Sequence, residues 1–198
     1  MANPKVKTDL VSLEEYFDGE KASESKHEFV NGMVYAMSGG TIRHDRIKGN
    51  IAGALNASLP DTCSATTGDV QLGSIEGAAG QWFHYPDVFV TCGLQDDMEY
   101  RTDQAIVIFE VLSRTTERSD RYEKFDRAKT LATLQEYVLV EQLHPRIEVY
   151  RRRNGWKQEF LHPHHPLALE SIKQTLTFAQ IYRRVHFPSM SSLGGVNE

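Results

Sequence analysis

Apolar residues along the first part of the chain fall into runs that predict two helices and a hairpin. Ser12 and Glu15 have the spacing of a helix capping box, so a short helix is expected to follow. Asn31-Gly32 lies between two apolar runs, which is the strongest local signal for a β-hairpin. Residues 41–59 keep apolar side chains at helical spacing, which predicts the first long helix.

The second part of the chain alternates apolar strands with helical segments. Strands are predicted at 85–92 and 105–112, and a twelve-residue connection joins them. Ser119 is the expected N-cap of a helix that runs to about residue 134. A strand pair follows, and Thr175 or Thr177 caps a closing helix. This order predicts an α/β or α+β fold with one mixed sheet and helices on both faces.

Composition limits the classes of protein that fit this pattern. The length of 198 residues predicts a single domain over residues 10–185, with flexible tails at 1–9 and 188–198. The net charge of −5 excludes a strongly basic field over the whole protein, so any nucleic-acid contact must use local patches. Cys63 and Cys92 show no paired spacing, and no apolar run is long enough to span a bilayer. A cytoplasmic protein without a membrane segment is expected.

A carboxylate interrupts the most apolar strand of the sequence. Glu110 lies between Ala105–Phe109 and Val111, although an unpaired buried carboxylate costs several kcal/mol. Asp87 stands at the head of the preceding strand. In a symmetric hairpin around the connection 93–104, whose centre is 98.5, Asp87 and Glu110 are opposite each other because (87 + 110)/2 is also 98.5. Opposed side chains share one face of the sheet.

Two readings of this carboxylate pair remain open at the level of sequence. Each carboxylate could pair with an Arg or Lys at a strand end. Alternatively, the pair could hold a cation, and oxygen ligands of this kind suit Mg²⁺ or Mn²⁺. Lys124 follows on the next helix, where it could point back at the carboxylates or lie on a solvated face.

Several segments together resemble one known family. The segments are HEFVNGMVYAMSGGTIRHDRI, YPDVFVTC, FEVLSRTTERSDRYEKF and LQEYVLVEQ, and the resemblance spans roughly residues 10–185. They are similar to the Uma-two family, a branch of the PD-(D/E)XK superfamily of restriction-endonuclease-like nucleases. Pro86-Asp87 matches the PD element, but Leu112 stands where the strand lysine of the superfamily is expected. The Uma-two branch carries that lysine on the following helix.

The resemblance implies a role for each matching residue. It implies that Asp87 and Glu110 bind a divalent metal, with the Val111 carbonyl as a further ligand, and that Lys124 replaces the strand lysine. Two further positions match the family pattern: Glu28, which would complete the site or lie on the hairpin surface, and His44, which would contact a phosphate or cap its helix. Asp69 is a weaker candidate, with a structural role expected.

The expected function is therefore a metal-dependent endonuclease that hydrolyses DNA phosphodiester bonds. Mg²⁺ or Mn²⁺ is the expected cofactor and DNA the expected partner, and a homodimer is plausible because cutting both strands often uses two sites. The alternative is a non-catalytic nucleic-acid-binding or interaction module on the same scaffold. The net charge of −5 and the missing strand lysine favour this alternative, whereas the retained acid pair and Lys124 favour the nuclease.

Overall fold

A computed structural model describes residues 10–76, 78–93, 96, 98–113 and 117–187. The tails predicted to be flexible, 1–9 and 188–198, lie outside these residues. The helices are α1 Leu13–Ala22, α2 Ile42–Asn56, α3 Phe125–Ala128 and α4 Phe178–Ile181, and a π-helical segment, Ser119–Lys124, precedes α3. The strands are β1 His27–Val30, β2 Met33–Ala36, β3 Cys63–Thr67, β4 Gln71–Ser74, β5 Trp82–His84, β6 Val88–Cys92, β7 Arg101–Thr102, β8 Val107–Leu112, β9 Glu136–Glu141, β10 Ile147–Arg151, β11 Gln158–Leu161, β12 Leu167–Leu169 and β13 Gln174–Leu176.

The N-terminal elements form as their local sequence dictates. Ser12 and Glu15 make the reciprocal hydrogen bonds of a capping box at the start of α1. Asn31 and Gly32 both have positive φ, at 47° and 86°, so they close the β1–β2 hairpin with the twist that antiparallel strands favour. This hairpin belongs to a five-stranded sheet in the order β2-β1-β5-β4-β7.

A six-stranded sheet forms the centre of the fold, in the order β11-β10-β9-β8-β6-β3. It is mixed, since β8 and β9 are parallel while the other neighbours are antiparallel. Val88 pairs with Phe109 between β6 and β8, so the same register places Asp87 opposite Glu110. The symmetric hairpin predicted from the sequence is therefore confirmed.

Both faces of the central sheet are covered. On one face, α2, α4 and the β12–β13 pair bury a core that includes Ile51, Phe109 and Ile181. On the other face, the π-helical segment with α3 and the five-stranded sheet bury a second core around Ile108 and Tyr137. The predicted mixed α+β fold is confirmed, although a second sheet shares one of the faces with a helix.

The helix predicted from Ser119 to about residue 134 was wrong at both ends. Residues 117 and 118 are already helical, so Ser119 is not the N-cap. The helix ends at Ala128, and the chain continues in turns. The Arg152 side chain donates to the carbonyl oxygens of Leu131 (2.5 Å) and Leu134 (2.6 Å), which therefore need no helical partner.

Strand pairing also joins the two cysteines. Cys63 on β3 lies opposite Cys92 on β6, and the two form a disulfide, which their spacing in the sequence did not indicate. Within the described part of the chain, no helix is long and apolar enough to cross a membrane.

Candidate functional site

A cavity of about 480 Å³ opens where β6 and β8 meet α2 and the π-helical segment. Its volume lies in the usual range for small-ligand sites, roughly 300–1,000 Å³. Four of the five predicted site side chains line it, namely those of His44, Asp87, Glu110 and Lys124. The fifth, Glu28, contacts Lys124. The lining includes Thr41, His44, Tyr85, Asp87, Glu110, Leu112, Ser113, Glu117, Asp120, Lys124, Glu141 and Gln142.

The carboxylates of Asp87 and Glu110 each accept a hydrogen bond from a backbone N–H of the neighbouring strand. The Asp87 N–H donates to Glu110 Oε2 at 3.2 Å, and the Val111 N–H donates to Asp87 Oδ2 at 2.7 Å. Glu110 is only 4% exposed, whereas the Asp87 side chain is partly open to the cavity. The two carboxylates are therefore fixed at adjacent strand positions by hydrogen bonds that hold them in place before any ligand arrives.

His44 contacts Asp87 from the first turn of α2. Thr41 caps this helix by accepting from the His44 N–H at 3.1 Å, and His44 Nε2 lies 3.1 Å from Asp87 Oδ2. Burial lowers the pKa of the imidazole, but its hydrogen bond to Asp87 and the charge of that carboxylate outweigh burial and raise the pKa above the ordinary value. Thr41, and not His44, is therefore the cap of this helix, and the imidazole of His44 lines the cavity.

Lys124 reaches the carboxylates from the π-helical segment. Its Nζ lies 2.8 Å from Glu28 Oε1 and 3.3 Å from Asp120 Oδ1. The widened helical turn is stabilised by Tyr137, whose hydroxyl donates to the Asp120 carbonyl at 3.0 Å. Lys124 is therefore not on a solvated face: it is 8% exposed and points inward.

The site concentrates negative charge in a buried place. Burial raises the pKa of Glu110 well above its ordinary value, Lys124 opposes that shift, and the neighbouring carboxylates of Asp120, Asp87 and Glu28 reinforce it. Burial by itself lowers the pKa of Lys124, but Glu110, Glu28 and Asp120 outweigh it and hold that pKa well above its ordinary value. Lys124 is accordingly a charged counter-ion to the acidic cluster.

The possible ligand atoms of the site are oxygens, which suit a hard cation. Asp87 and Glu110 offer carboxylate oxygens to the cavity, whereas the backbone of Val111 is hydrogen-bonded to His44. Mg²⁺ is commonly held by one or two carboxylates together with water and phosphate oxygens. Among the described residues, no group of three or more Asp, Glu, His or Cys side chains is arranged to hold a metal ion. The residues therefore fit a site of two carboxylates, completed by ligands that do not come from a third acidic side chain.

Sequence reasoning missed two polar residues that the fold brings to the cavity. Asp120 was not predicted as a site residue, although its four-residue spacing from Lys124 places both side chains on one face of a helix. Gln142 donates to the Leu112 carbonyl at 2.8 Å and accepts from Thr41 at 2.9 Å, a link that only the fold could show. Asp69 lies outside the cavity, where it pairs with Lys26 on the surface, in agreement with a structural role.

The comparison with known families assigns this arrangement to one of them. The family described as "Uma2: Putative restriction endonuclease" matches residues 13–180. The chain belongs to the Uma2 family. Two relatives from Synechocystis sp. are similar to it, each called an uncharacterised protein: slr1290, 30% identical over 93% of this chain and 98% of its own length, and sll1609, 28% identical over 73% and 82%.

A solved structure is similar to this Uma2 chain in fold. It is described as a putative nuclease belonging to DUF820 from Anabaena variabilis, and it covers 87% of this chain and 97% of its own length with a TM-score of 0.70. At 15% identity the likeness concerns the fold alone. In this Uma2 chain, the buried Leu112 lines the cavity from β8, while Lys124 lines it from the π-helical segment.

Proposed function

We propose that this Uma2 protein is a metal-dependent endonuclease that hydrolyses phosphodiester bonds in DNA. The observation that carries the proposal is the opposed pair of Asp87 and Glu110, buried in one cavity beside the ammonium group of Lys124. Two carboxylates and a lysine at one site supply the groups that phosphodiester hydrolysis requires: anchors for a cation and a positive charge near the reacting phosphate. Membership of a family described as "Putative restriction endonuclease" supports the same class of reaction.

Asp87 and Glu110 would hold Mg²⁺ or Mn²⁺, with the Val111 carbonyl as a further ligand. When bound, such an ion polarises the phosphate and lowers the pKa of a coordinated water. The hydrogen bonds from the backbone N–H groups of Asp87 and Val111 keep both carboxylates in place, so little reorganisation is needed on binding.

Lys124 would orient the attacking water or offset the charge that develops on the phosphate. Its ammonium group forms ion pairs with Glu28 and Asp120 at the wall of the cavity. His44 would contact a phosphate oxygen and keep Asp87 oriented through their 3.1 Å contact.

Binding of the metal can be tested apart from catalysis. A ligand that binds only the folded state raises its unfolding temperature. Mg²⁺ or Mn²⁺ should therefore protect the wild-type protein in a thermal-unfolding assay, and Asp87→Asn should abolish the protection. Asp69→Asn serves as the control, because this exposed carboxylate lies outside the cavity. Equal protection of wild type and Asp87→Asn would refute the proposed metal site.

A second candidate is a nucleic-acid-binding module without catalytic activity. Two observations favour it. Lys124 is paired with Glu28 and Asp120, and the described residues contain no group of three or more Asp, Glu, His or Cys side chains arranged to hold a metal ion. This candidate predicts DNA binding that neither Mg²⁺ nor EDTA alters, and it predicts no cleavage product.

A homodimer would suit the nuclease proposal, because cutting both strands of a duplex would require two copies of the site. Sedimentation with and without DNA tests for this homodimer.

A further inference from the structure

Two buried polar nitrogens lie directly behind the site, and neither has a hydrogen-bond partner within the described part of the chain. They are Nε2 of His84 and Nε1 of Trp82, both on β5. His84 is 3% exposed and Trp82 1%. A buried polar group without a partner costs about 1–3 kcal/mol, and such groups in native proteins call for an explanation.

The strand register places His84 against Glu28. β1 and β5 are antiparallel with Phe29 opposite Phe83 and Val30 opposite Trp82, so the same register sets Glu28 opposite His84. Val30 and Trp82 pack into the core that faces the central sheet, whereas Phe29 and Phe83 pack into the cluster with α1. Because side chains alternate along a strand, Glu28 and His84 both point toward the central sheet, where Lys124 lies.

The electrostatic surroundings agree with this placement. Burial lowers the pKa of His84 well below its ordinary value, and the nearby positive charges of Lys124 and Arg127 lower it further. The imidazole therefore stays neutral and keeps one N–H to donate. Its neighbour Glu28 is occupied in this state by the Lys124 ammonium group, at 2.8 Å.

We propose that His84 is a positioning residue that acts as the reserve hydrogen-bond donor for Glu28. When Lys124 turns from Glu28 toward the substrate, Nε2–H of His84 donates to the Glu28 carboxylate in its place. The buried carboxylate then keeps a partner throughout the reaction, so releasing Lys124 costs less. This inference rests on the proposed nuclease function for its consequences in catalysis, but the hydrogen bond itself can be observed without it.

The first test uses kinetics and stability together. His84→Leu removes the polar group with little change in volume, and His84→Gln keeps a donor. We expect His84→Leu to lower kcat about ten- to a hundredfold with KM unchanged, while its unfolding temperature stays at or above that of wild type, since an unpartnered polar atom has been removed. His84→Gln should recover most of the rate.

Trp82→Phe is the matched control, because it removes the other unpartnered nitrogen on the same face and keeps an aromatic ring against His84, whose centroid lies 5.0 Å from that of Trp82. It should leave kcat unchanged. Cleavage by His84→Leu at the wild-type rate would overturn the proposal. A lowered unfolding temperature with equal loss of activity in both His84 variants would also overturn it, because His84 would then be structural.

The second test does not need nuclease activity, so it separates failure of this inference from failure of the proposed function. In protein labelled with ¹⁵N-histidine, the Nε2 proton of His84 is identified by its loss in His84→Gln. In Lys124→Met, Glu28 has lost its ammonium partner, and we expect the His84 signal to shift downfield as the new hydrogen bond forms. Should this variant not fold, Lys124→Ala is used, whose smaller side chain admits water to the carboxylates. An unchanged His84 signal would overturn the proposal.

Discussion

Replacing Lys124 by Met tests how strongly the acidic cluster depends on its buried ammonium group. At an effective dielectric constant of about 20, a unit charge pair at 2.8 Å interacts by roughly 6 kcal/mol and one at 3.3 Å by roughly 5 kcal/mol. Desolvation of the ions offsets much of this attraction. Removing one partner of a buried pair nevertheless costs about 3–5 kcal/mol, because the remaining carboxylates keep their burial and lose their counter-ion.

This loss should be visible in thermal unfolding. For a domain of this size, 1 kcal/mol corresponds to about 2–4 °C, so the unfolding temperature of Lys124→Met should fall by about 6–20 °C. Mg²⁺ should raise it more than it raises that of wild type, since the site has lost one positive charge. At a hundred times the dissociation constant, a bound ligand contributes about 2.7 kcal/mol.

Lys129→Met is the control, because Lys129 forms an ion pair with Asp126 on the surface, where such pairs contribute at most about 1 kcal/mol. Its unfolding temperature should stay close to that of wild type. Equal unfolding temperatures for Lys124→Met and wild type would refute the reasoning, since Lys124 would then not be the counter-ion of a buried cluster.

Three further predictions concern separate parts of the molecule. A methyl group on Gly40 would lie 2.9 Å from Nδ1 of His44, so Gly40→Ala should lower cleavage about tenfold, whereas Gly39→Ala, with nothing within 4 Å, should leave the rate unchanged. Burial raises the pKa of Glu148, but hydrogen bonds from two arginines and a glutamine outweigh burial and lower the pKa below its ordinary value of 4.5. The stability that this carboxylate contributes is therefore present above pH 4.5 and is lost as the pH falls through the lower pKa of the folded state. Urea unfolding of Glu148→Gln should therefore show a cost of about 3 kcal/mol at pH 7 that shrinks in acid; a cost independent of pH would contradict this. Reducing the disulfide between β3 and β6 should lower stability by about 3–4 kcal/mol, because it closes a loop of 29 residues in the unfolded chain, and an unchanged unfolding curve in dithiothreitol would contradict this.

Much of the fold follows from local sequence. The Asn31-Gly32 turn and the capping box at Ser12 form as predicted, and Thr177 is the one of the two predicted caps that forms, because each feature depends on residues within three or four positions of one another. The opposition of Asp87 and Glu110 could also be predicted, since a symmetric connection between two strands fixes their register. Local signals of this kind therefore located the centre of the candidate site.

Other features depend on contacts between distant segments. The hydroxyl of Tyr137 donates to the π-helical turn that carries Lys124, and Arg152 donates to carbonyl oxygens in the turns that follow the helix. The contact of Glu28 with Lys124 spans nearly a hundred residues and could be inferred only from the family pattern. The partners of Gln142 and of Cys63 likewise appear only once the strands have paired.

The most direct test of the central claim is a cleavage assay on supercoiled plasmid, linear duplex and single-stranded DNA. Each substrate is incubated with Mg²⁺, Mn²⁺ or EDTA, using wild type, Glu110→Gln and Lys124→Ala, with Asp69→Asn as the control outside the cavity. The account predicts cleavage that needs the metal, is lost in Glu110→Gln and Lys124→Ala, and persists in Asp69→Asn. Cleavage that survives both site variants, or no cleavage by a wild-type protein that binds the metal, would contradict the assignment of this cavity as a nuclease active site.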